Sequence, residues 1–363
     1  MINKLIKPII ILLIICFGFL YGVGVGTYKI FPYNQIKKMK QIFTNDERIQ
    51  SNYHETLTEK LEVIESEDID LVNLRKKLIK FIKPESEIEV FFKDENNRIK
   101  ISTKYYGILS NAVLNRDYSL KNNCLLIYIQ GHGGNPFDYD YHNEILNKFS
   151  DDGCDVLSMS MLGLGLNRGL ASFPSRFGKV SLEPNLEENH GNYSFFYDEK
   201  NPNLDPLSLF LYPHMKIIES SIQKFDYKDV SIVGISGGGW YVTWLSALMP
   251  QIKKSIIYAG GIPFAFRKYG SMHGDWESTY SNLYNYVNYY NLFQMMLIDD
   301  AIDEKRLAFM IYNDRDPCCF SNPYALAFKN SINDNPKFPT IMIDENDKHS
   351  MNPSLVFSIL RKE

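Results

Sequence analysis

Six short apolar runs, separated by segments of helical periodicity, divide the chain from about residue 120 onwards. They lie at 124–129, 155–159, 230–233, 255–258, 307–312 and 339–343. The run at 124–129 has no polar interruption, which is typical of a strand buried on both faces. Strands that alternate with helices predict an α/β fold with a mostly parallel central sheet and helices on both of its faces.

A different pattern precedes these runs. Residues 87–92 and 99–106 alternate between apolar and polar positions around the polar turn 94–97, which predicts an antiparallel hairpin at the start of the sheet. Apolar residues at helical spacing over residues 36–83 predict a stalk or a helix packed on the domain, ended by Pro84. We therefore expect a helical extension at 31–84 and one α/β domain at 85–363.

The segment 233–240 reads V-G-I-S-G-G-G-W and contains the pattern G-x-S-x-G. It follows the apolar run 230–233 and precedes a helical segment, 241–249, that stops at Pro250. A strand, a sharp glycine-rich turn and a helix form the elbow that exposes a nucleophilic serine. The pattern favours Ser236 as a nucleophile over the alternative, a strand–helix turn that holds an incidental serine.

A serine hydroxyl needs donors for the oxyanion that forms when it attacks a carbonyl. Residues 130–134, with the sequence Q-G-H-G-G, follow a buried strand and supply candidates for this role. We expect the N–H of Gly237, the residue after the nucleophile, to be one donor and the loop at His132 and Gly133 to supply another. The His132 side chain is expected to shape this loop and not to take the catalytic proton.

A serine nucleophile also needs a base and an acid that orients the base. The strand at 307–312 ends in N-D-R-D-P, which offers Asp314 and Asp316, and we prefer Asp316 as the acid. His349 follows the last predicted strand and precedes a helix at 354–360, so it is the candidate base. The order along the chain is oxyanion loop, serine, acid and histidine.

These residues resemble the α/β-hydrolase superfamily, and the resemblance covers residue 87 to the C-terminus. More narrowly, the chain is similar to a poorly characterised branch with GxSGGGW at 234–240, GDWE at 274–277 and D-x-CCF at 316–320. The resemblance implies an α/β-hydrolase fold with cap insertions. It also implies that the Asp before the cysteine pair and a late His complete the triad, here Asp316 and His349, and it implies no particular substrate.

Two long insertions, at about 162–207 and 260–301, are expected to cap the carboxyl ends of the strands, where such sheets bind ligands. We expect Trp240, Asp275 and Trp276 to contact substrate. The alternative is a packed cap in which aromatic rings are buried and acidic residues cap a helix. Asp275 and Glu277 are also the acidic pair that a peptidase would use to bind a peptide amino terminus.

The formal net charge of −4 gives no indication of nucleic-acid binding. Hydrophobic residues make up 45% of the chain and charged residues 23%, which are ordinary values for a globular enzyme. Phosphate-binding loops, dinucleotide fingerprints and zinc-ligand spacings are missing from the sequence, so we expect neither a cofactor nor a metal.

The N-terminus carries Lys4 and Lys7 before an uncharged stretch, 8–28, of about the length that spans a bilayer. Residues 1–30 are therefore predicted to be a transmembrane signal anchor or a cleaved signal peptide, and the protein membrane-anchored or secreted. The lysines that follow favour a cytoplasmic domain, whereas the charged start favours export. The side of the membrane stays open.

The cysteines do not decide whether the protein lies in an oxidising or a reducing compartment. Cys124 and Cys154 begin strands that are usually neighbours in this fold, and two buried thiols are the commoner outcome for such a pair. Cys318 and Cys319 form a vicinal pair beside the candidate acid, and two reduced thiols are again favoured over a disulfide.

The sequence thus predicts a serine hydrolase that cleaves a carboxylic ester, the substrate being a small molecule or an acylated glycan. One alternative is a peptidase or amidase of the same fold. The other is a catalytically inactive binding protein tethered to a membrane. The oligomeric state is left open.

Overall fold

The computed structural model describes residues 69–361 with gaps. The gaps are 84–86, 96–97, 118–122, 169–170, 176–177, 183–204, 206, 264–265, 267–275, 280–281, 300–305, 319, 321–323 and 333–334. Every described residue belongs to one compact unit, which begins at Ile64. The predicted signal segment at 1–30 lies outside the described residues. Within the described part, none of the helices combines the length and apolar character that crossing a membrane requires.

The described residues form eleven strands, most of them at the predicted positions. In chain order they are Val90–Glu95 (β1), Arg98–Tyr105 (β2), Ile108–Asn115 (β3), Cys124–Gln130 (β4), Cys154–Ser160 (β5), Ala171–Ser175 (β6), Gly178–Leu182 (β7), Asp229–Ile235 (β8), Lys254–Tyr258 (β9), Leu307–Asn313 (β10) and Thr340–Asp344 (β11). Strands β6 and β7 pair as a separate hairpin inside the first predicted insertion.

The other nine strands form one sheet in the order β1-β2-β3-β5-β4-β8-β9-β10-β11. From β5 to β11 every neighbouring pair is parallel, whereas β1, β2, β3 and β5 pair in antiparallel fashion. The predicted mostly parallel sheet with an antiparallel start is confirmed. Strand β3 was not predicted, and it extends the expected hairpin to three strands.

Eight helices occur in the described residues. They are Leu71–Ile82 (α1), Asp140–Asp151 (α2), Leu207–Phe225 (α3), Gly237–Leu248 (α4), Trp276–Thr279 (α5), Tyr289–Met295 (α6), Tyr324–Ile332 (α7) and Pro353–Arg361 (α8). The crossover through α2 runs from β4 to β5, towards the β1 end of the strand order. The crossovers that contain α3 and α4 end at β8 and β9, so they run towards the β11 end. Because crossovers are right-handed, opposite directions put these helices on opposite faces, as predicted.

The strand order reverses between β4 and β8, which is where sheets of this kind bind ligands. The chain leaves β4 towards β5 and leaves β8 towards β9, so the loops after β4 and β8 diverge over opposite faces. Gly131 follows β4 and Ser236 follows β8. The fold therefore brings the predicted oxyanion loop and the predicted nucleophile to one point of the sheet edge.

Helix α1 is the described part of the predicted 31–84 extension, and it packs on the domain. Arg75 is fully buried there and donates to the carbonyl oxygens of Ala247 at 2.6 Å and Met295 at 2.6 Å. These carbonyls lie at the ends of α4 and α6, where helix carbonyls have no intrahelical donor. The packed-helix alternative thus applies to residues 71–82, and the remainder of the predicted stalk lies outside the described residues.

Cys124 and Cys154 form a disulfide, which corrects the expectation of two buried thiols. The parallel register pairs Cys124 directly with Cys154, and their Cα atoms are 4.7 Å apart. That separation lies within the range that a disulfide spans, so the register of β4 and β5 brings the two thiols together. Cys319 lies outside the described residues, and the vicinal pair stays a prediction.

Candidate active site

Ser236 occupies the turn between β8 and α4 in a conformation that L-residues rarely adopt. Its φ is 56° and its ψ is −122°, a strained backbone of the kind that costs about 1–3 kcal/mol and is concentrated at functional sites. Hydrogen bonds hold the turn: the Ser236 N–H donates to the Tyr258 carbonyl at 2.9 Å, and the Gly239 N–H donates to the Ser236 carbonyl at 2.9 Å. The predicted elbow is present, and α4 begins at Gly237, earlier than expected.

The loop after β4 lies directly against this turn. A Cβ at Gly131 would lie 2.5 Å from the Ile235 carbonyl oxygen and 2.9 Å from the Ser236 Cβ, so only glycine fits there. The Gly134 N–H donates to the Gly131 carbonyl at 3.1 Å and closes the loop into a turn. This turn exposes Gly133, and the loop that it closes lies next to Ser236.

Gly237 is the first residue of α4, so its N–H has no intrahelical acceptor. A helix N-terminus also carries a partial positive charge that favours an anion. The His132 ring packs beside Gly237, because a Cβ on Gly237 would lie 2.7 Å from the His132 Cε1. The two predicted oxyanion elements therefore meet beside Ser236.

His349 and Asp316 form a hydrogen-bonded pair. His349 Nδ1 lies 2.8 Å from Asp316 Oδ2, and the Cys318 N–H donates to Asp316 Oδ1 at 2.7 Å. The carboxylate side chain is fully buried, whereas 27% of the imidazole side chain is exposed. Asp314 lies beyond the strand end, where its N–H donates to the Asp344 carbonyl at 2.9 Å. Of the two candidate acids, the structure pairs Asp316 with the histidine.

The environment of His349 favours its protonated form. Burial lowers the pKa of the imidazole, but the hydrogen bond and the negative charge of Asp316 raise it more, so the net shift is upward from 6.5. Cys318 raises this pKa and His132 lowers it, each through its charge. An imidazole oriented through Nδ1 and open at Nε2 has the arrangement that a general base requires.

Between the described residues Ser236 and His349 the structure has no side-chain hydrogen bond. Hydrogen bonds between catalytic groups are often long without substrate and shorten when it binds. The elbow and the histidine loop follow strands β8 and β11 of the same parallel sheet, so they lie along one edge of it.

A second histidine–carboxylate pair lies beside Gly237, and sequence reasoning missed it. His132 Nε2 is 3.1 Å from Glu277 Oε1; 21% of the His132 side chain is exposed, against 1% for Glu277. The contact links the 131–134 loop to α5 of the second cap insertion. This contact agrees with the expectation that the His132 side chain shapes its loop. The only indication of a partner in the sequence was the GDWE segment, which ends in Glu277.

Of the three predicted substrate contacts, Trp240 is the one whose side chain the structure describes. Trp240 is only 2% exposed, and its indole N–H donates to the Tyr284 hydroxyl at 3.1 Å. Its ring also contacts Phe210 and Trp244. Trp240 is therefore a buried residue of α4 whose indole contacts the second cap insertion at Tyr284, and its predicted contact with substrate stays a prediction. An aromatic side chain just after the elbow, at the start of a helix whose residues are all buried, packs into the core.

Asp275 and the side chain of Trp276 lie outside the described part, so their predicted contacts stay predictions. Among the residues that the structure describes, no group of three or more His, Cys, Asp or Glu side chains is arranged to hold a metal ion.

Comparison with known proteins gives structural matches alone. The sequence matches no protein-family model and none of the curated proteins. Acetyl xylan esterase 1 from Thermoanaerobacterium sp. JW/SL YS485 is 14% identical with a TM-score of 0.53, and the match covers 80% of this chain and 92% of that one. Methylesterase BT1017 is 12% identical with a TM-score of 0.52, and the match covers 85% of this chain and 67% of that one. At these identities the matches establish the fold, and the chain has the α/β-hydrolase fold.

Proposed function

We propose that this protein is a serine hydrolase that cleaves a carboxylic ester through an acyl-enzyme on Ser236. The observation that carries the proposal is the 2.8 Å pair of His349 and Asp316 along the sheet edge that bears the strained Ser236 turn. A buried carboxylate that orients a partly exposed imidazole serves general-base catalysis better than it serves stability.

In the first half-reaction, the Ser236 oxygen attacks the carbonyl carbon while His349 Nε2 takes the hydroxyl proton. Asp316 holds the ring through Nδ1 and stabilises the imidazolium that forms. The oxyanion is held by the Gly237 N–H and by an N–H of the loop at His132 and Gly133, whereas the Gly134 N–H already donates to the Gly131 carbonyl. The tetrahedral intermediate then collapses, and the imidazolium gives its proton to the departing alcohol.

The second half-reaction returns the enzyme to its starting state. Water attacks the acyl-enzyme carbonyl, and His349 takes a proton from that water. Collapse breaks the bond to the Ser236 oxygen, which receives the proton, and the carboxylic acid leaves.

Two observations support an ester over an amide. Two structural neighbours with TM-scores above 0.5 are named as an acetyl xylan esterase and a methylesterase, which favours a small-molecule or glycan ester. Glu277, half of the acidic pair that a peptidase would need, is almost fully buried against His132. A carboxylate in that position is poorly placed to bind a peptide amino terminus.

Matched ester and anilide substrates test this assignment. We expect the protein to hydrolyse p-nitrophenyl acetate or butyrate and to leave the corresponding anilides intact. Ser236→Ala should lower the rate by about 10³-fold or more. Ser358→Ala is the matched control, because the Ser358 hydroxyl only donates to the Leu355 carbonyl within α8. Equal rates for the Ser236 variant and wild type would refute the proposal, and faster anilide cleavage would favour the peptidase alternative.

We further propose that residues 1–30 anchor the protein with its catalytic domain on the oxidising side of a membrane. The Cys124–Cys154 disulfide supports this orientation, because disulfides persist in exported proteins and are rare in reducing compartments. A reporter that is active only after export, fused behind residue 40, tests the orientation. Reporter activity is the expected result, and its absence beside a functional cytoplasmic fusion would reverse the proposal.

A further inference from the structure

Asn313 is the last residue of β10, and its fully buried side chain contacts both neighbours of His349. Its amide Nδ2 donates to the Lys348 carbonyl at 2.8 Å and to the Ser350 carbonyl at 2.9 Å. Carbonyl oxygens only accept, so the amide nitrogen has to face them. One side chain thus holds the backbone on both sides of the candidate base.

The opposite end of the same amide is unsatisfied. Asn313 Oδ1 is buried and has no hydrogen-bond partner among the described residues. A buried polar group without a hydrogen-bond partner in a native structure calls for an explanation. Every hydrogen bond that the structure gives this side chain therefore goes to the backbone beside His349.

Asn313 also begins the segment that carries the acid. The parallel pairing of β10 and β11 ends with Asn313 opposite Asp344, and the Arg315 N–H then donates to the Asn346 carbonyl at 3.2 Å. Asp316 follows directly and reaches His349. The segment 313–316 therefore fixes the histidine twice, once through its backbone and once through its ring.

We propose that Asn313 is a positioning residue that sets the distance between His349 and Asp316 by clamping the backbone on both sides of the histidine. The inference rests on the proposed function, because it assigns Asn313 to the same site. It predicts that loss of the clamp loosens the pair without removing any group that touches substrate. Misplacing a catalytic group by about 1 Å can cost on the order of 100-fold in rate.

Asn313→Ala and Asn313→Leu test the clamp in the full-length protein. Leucine keeps the branched shape and the number of side-chain heavy atoms and removes both N–H donors, so it separates the lost hydrogen bonds from an added cavity. We expect kcat on an ester to fall by about 10- to 100-fold with KM nearly unchanged, because substrate contacts are intact. The control is Tyr227→Phe. It removes a hydroxyl that donates to Asp155 at the amino ends of the strands, away from the candidate site.

Titration of the His349 imidazole by nuclear magnetic resonance, assigned by comparison with His349→Gln, gives a readout independent of hydrolysis. The charged groups that act on this ring are Asp316, Cys318 and His132. In either Asn313 variant the imidazole pKa should fall from its wild-type value, because the Asp316 contact weakens. Tyr227→Phe should leave it unchanged.

Each outcome decides the inference. A wild-type imidazole pKa in a folded Asn313 variant would overturn it, as would an equal fall in kcat in a Tyr227→Phe variant of matched stability. A wild-type protein inert to esters would refute the proposed function, while the titration would still test the clamp. Should Asn313→Ala not fold, the leucine variant carries the same test.

Discussion

Asp316 Oδ2 lies 2.8 Å from His349 Nδ1, although 33 positions separate the two residues in the chain. The parallel neighbours β10 and β11 bring them together, because each residue lies in the loop that follows one of these strands. The fully buried carboxylate holds Nδ1 of the partly exposed imidazole in a hydrogen bond and leaves Nε2 available.

Replacing this carboxylate by an amide should disable the base while it preserves the shape of the site. Asp316→Asn is expected to lower kcat on an ester by about 10³- to 10⁴-fold, because the amide no longer stabilises the imidazolium and favours the wrong tautomer. Asp314→Asn is the matched control, since its side chain does not pair with His349, and it should stay within about threefold of wild type. Equal losses in the two variants would contradict the assignment of the acid.

The ester hydrolysis rate should depend on pH through His349. The base acts only when neutral, and its pKa is raised above 6.5, so kcat/KM should rise with pH and level off after an inflection above 6.5. In Asp316→Asn the inflection should move to lower pH, because the contact that raises the pKa is weakened. Initial rates from about pH 5 to about pH 9 measure both profiles. An inflection below 6.5 in wild type would be inconsistent with this pair.

Acid should destabilise the fold through two other histidines. Burial lowers the pKa values of His142 and His214 to about 4 each. The unfolded chain takes up these protons near pH 6.5 and the folded one near pH 4, so the stability is fully present above 6.5 and is lost as pH falls towards 4. The loss should reach about 2 kcal/mol for each histidine at pH 5.

Urea unfolding at pH 7 and pH 5 measures this difference. His214→Gln should reduce the dependence on pH, because the glutamine side chain does not titrate. An unfolding midpoint that stays constant between the two pH values would show that these histidines are not held neutral.

The Cys124–Cys154 disulfide should stabilise the domain by restricting its unfolded chain. The bridge joins residues 30 positions apart, for which loop-closure entropy gives about 3–4 kcal/mol. The double variant Cys124→Ser, Cys154→Ser should unfold at correspondingly lower denaturant concentration. Peptide mapping without reductant should recover the two cysteines in one linked peptide pair. Alkylation of both thiols in unreduced, unfolded protein would rule the bridge out.

Local patterns predicted most of the fold and the positions of the principal groups. The apolar run before Ser236 and the glycines after it specify a strand, a turn and a helix, which are short-range features. Asp316 and His349 could be proposed because each follows an apolar strand, and parallel strands present their carboxyl ends at the same edge. The choice between Asp314 and Asp316 depended on side-chain direction, which a pattern does not contain.

Strand β3 was missed because its turn lacks the usual signal. The two residues between β2 and β3 are Tyr106 and Gly107, with φ values of 49° and 82°. A two-residue hairpin turn with both φ values positive is normally marked by Asn-Gly or Asp-Gly, and tyrosine rarely takes the first position. The alternation in the sequence was therefore assigned to two strands and not to three.

Long-range pairs escaped prediction for another reason. His132 and Glu277 are 145 positions apart and meet through a cap insertion that has no strand or helix periodicity to place it. The bond between Cys124 and Cys154 depends on the register of β4 against β5, which apolar runs do not specify. Asn313 carries no signal of its own, because its contacts go to backbone carbonyls.

Labelling with a fluorophosphonate probe, followed by identification of the modified residue by mass spectrometry, tests the activated serine most directly. Folded full-length protein in detergent should be modified on Ser236. Ser236→Ala should not be labelled, and labelling of His349→Ala should be much slower, because the hydroxyl loses its base. A folded wild-type protein that stays unlabelled, or labelling that persists in Ser236→Ala, would contradict catalysis by this serine.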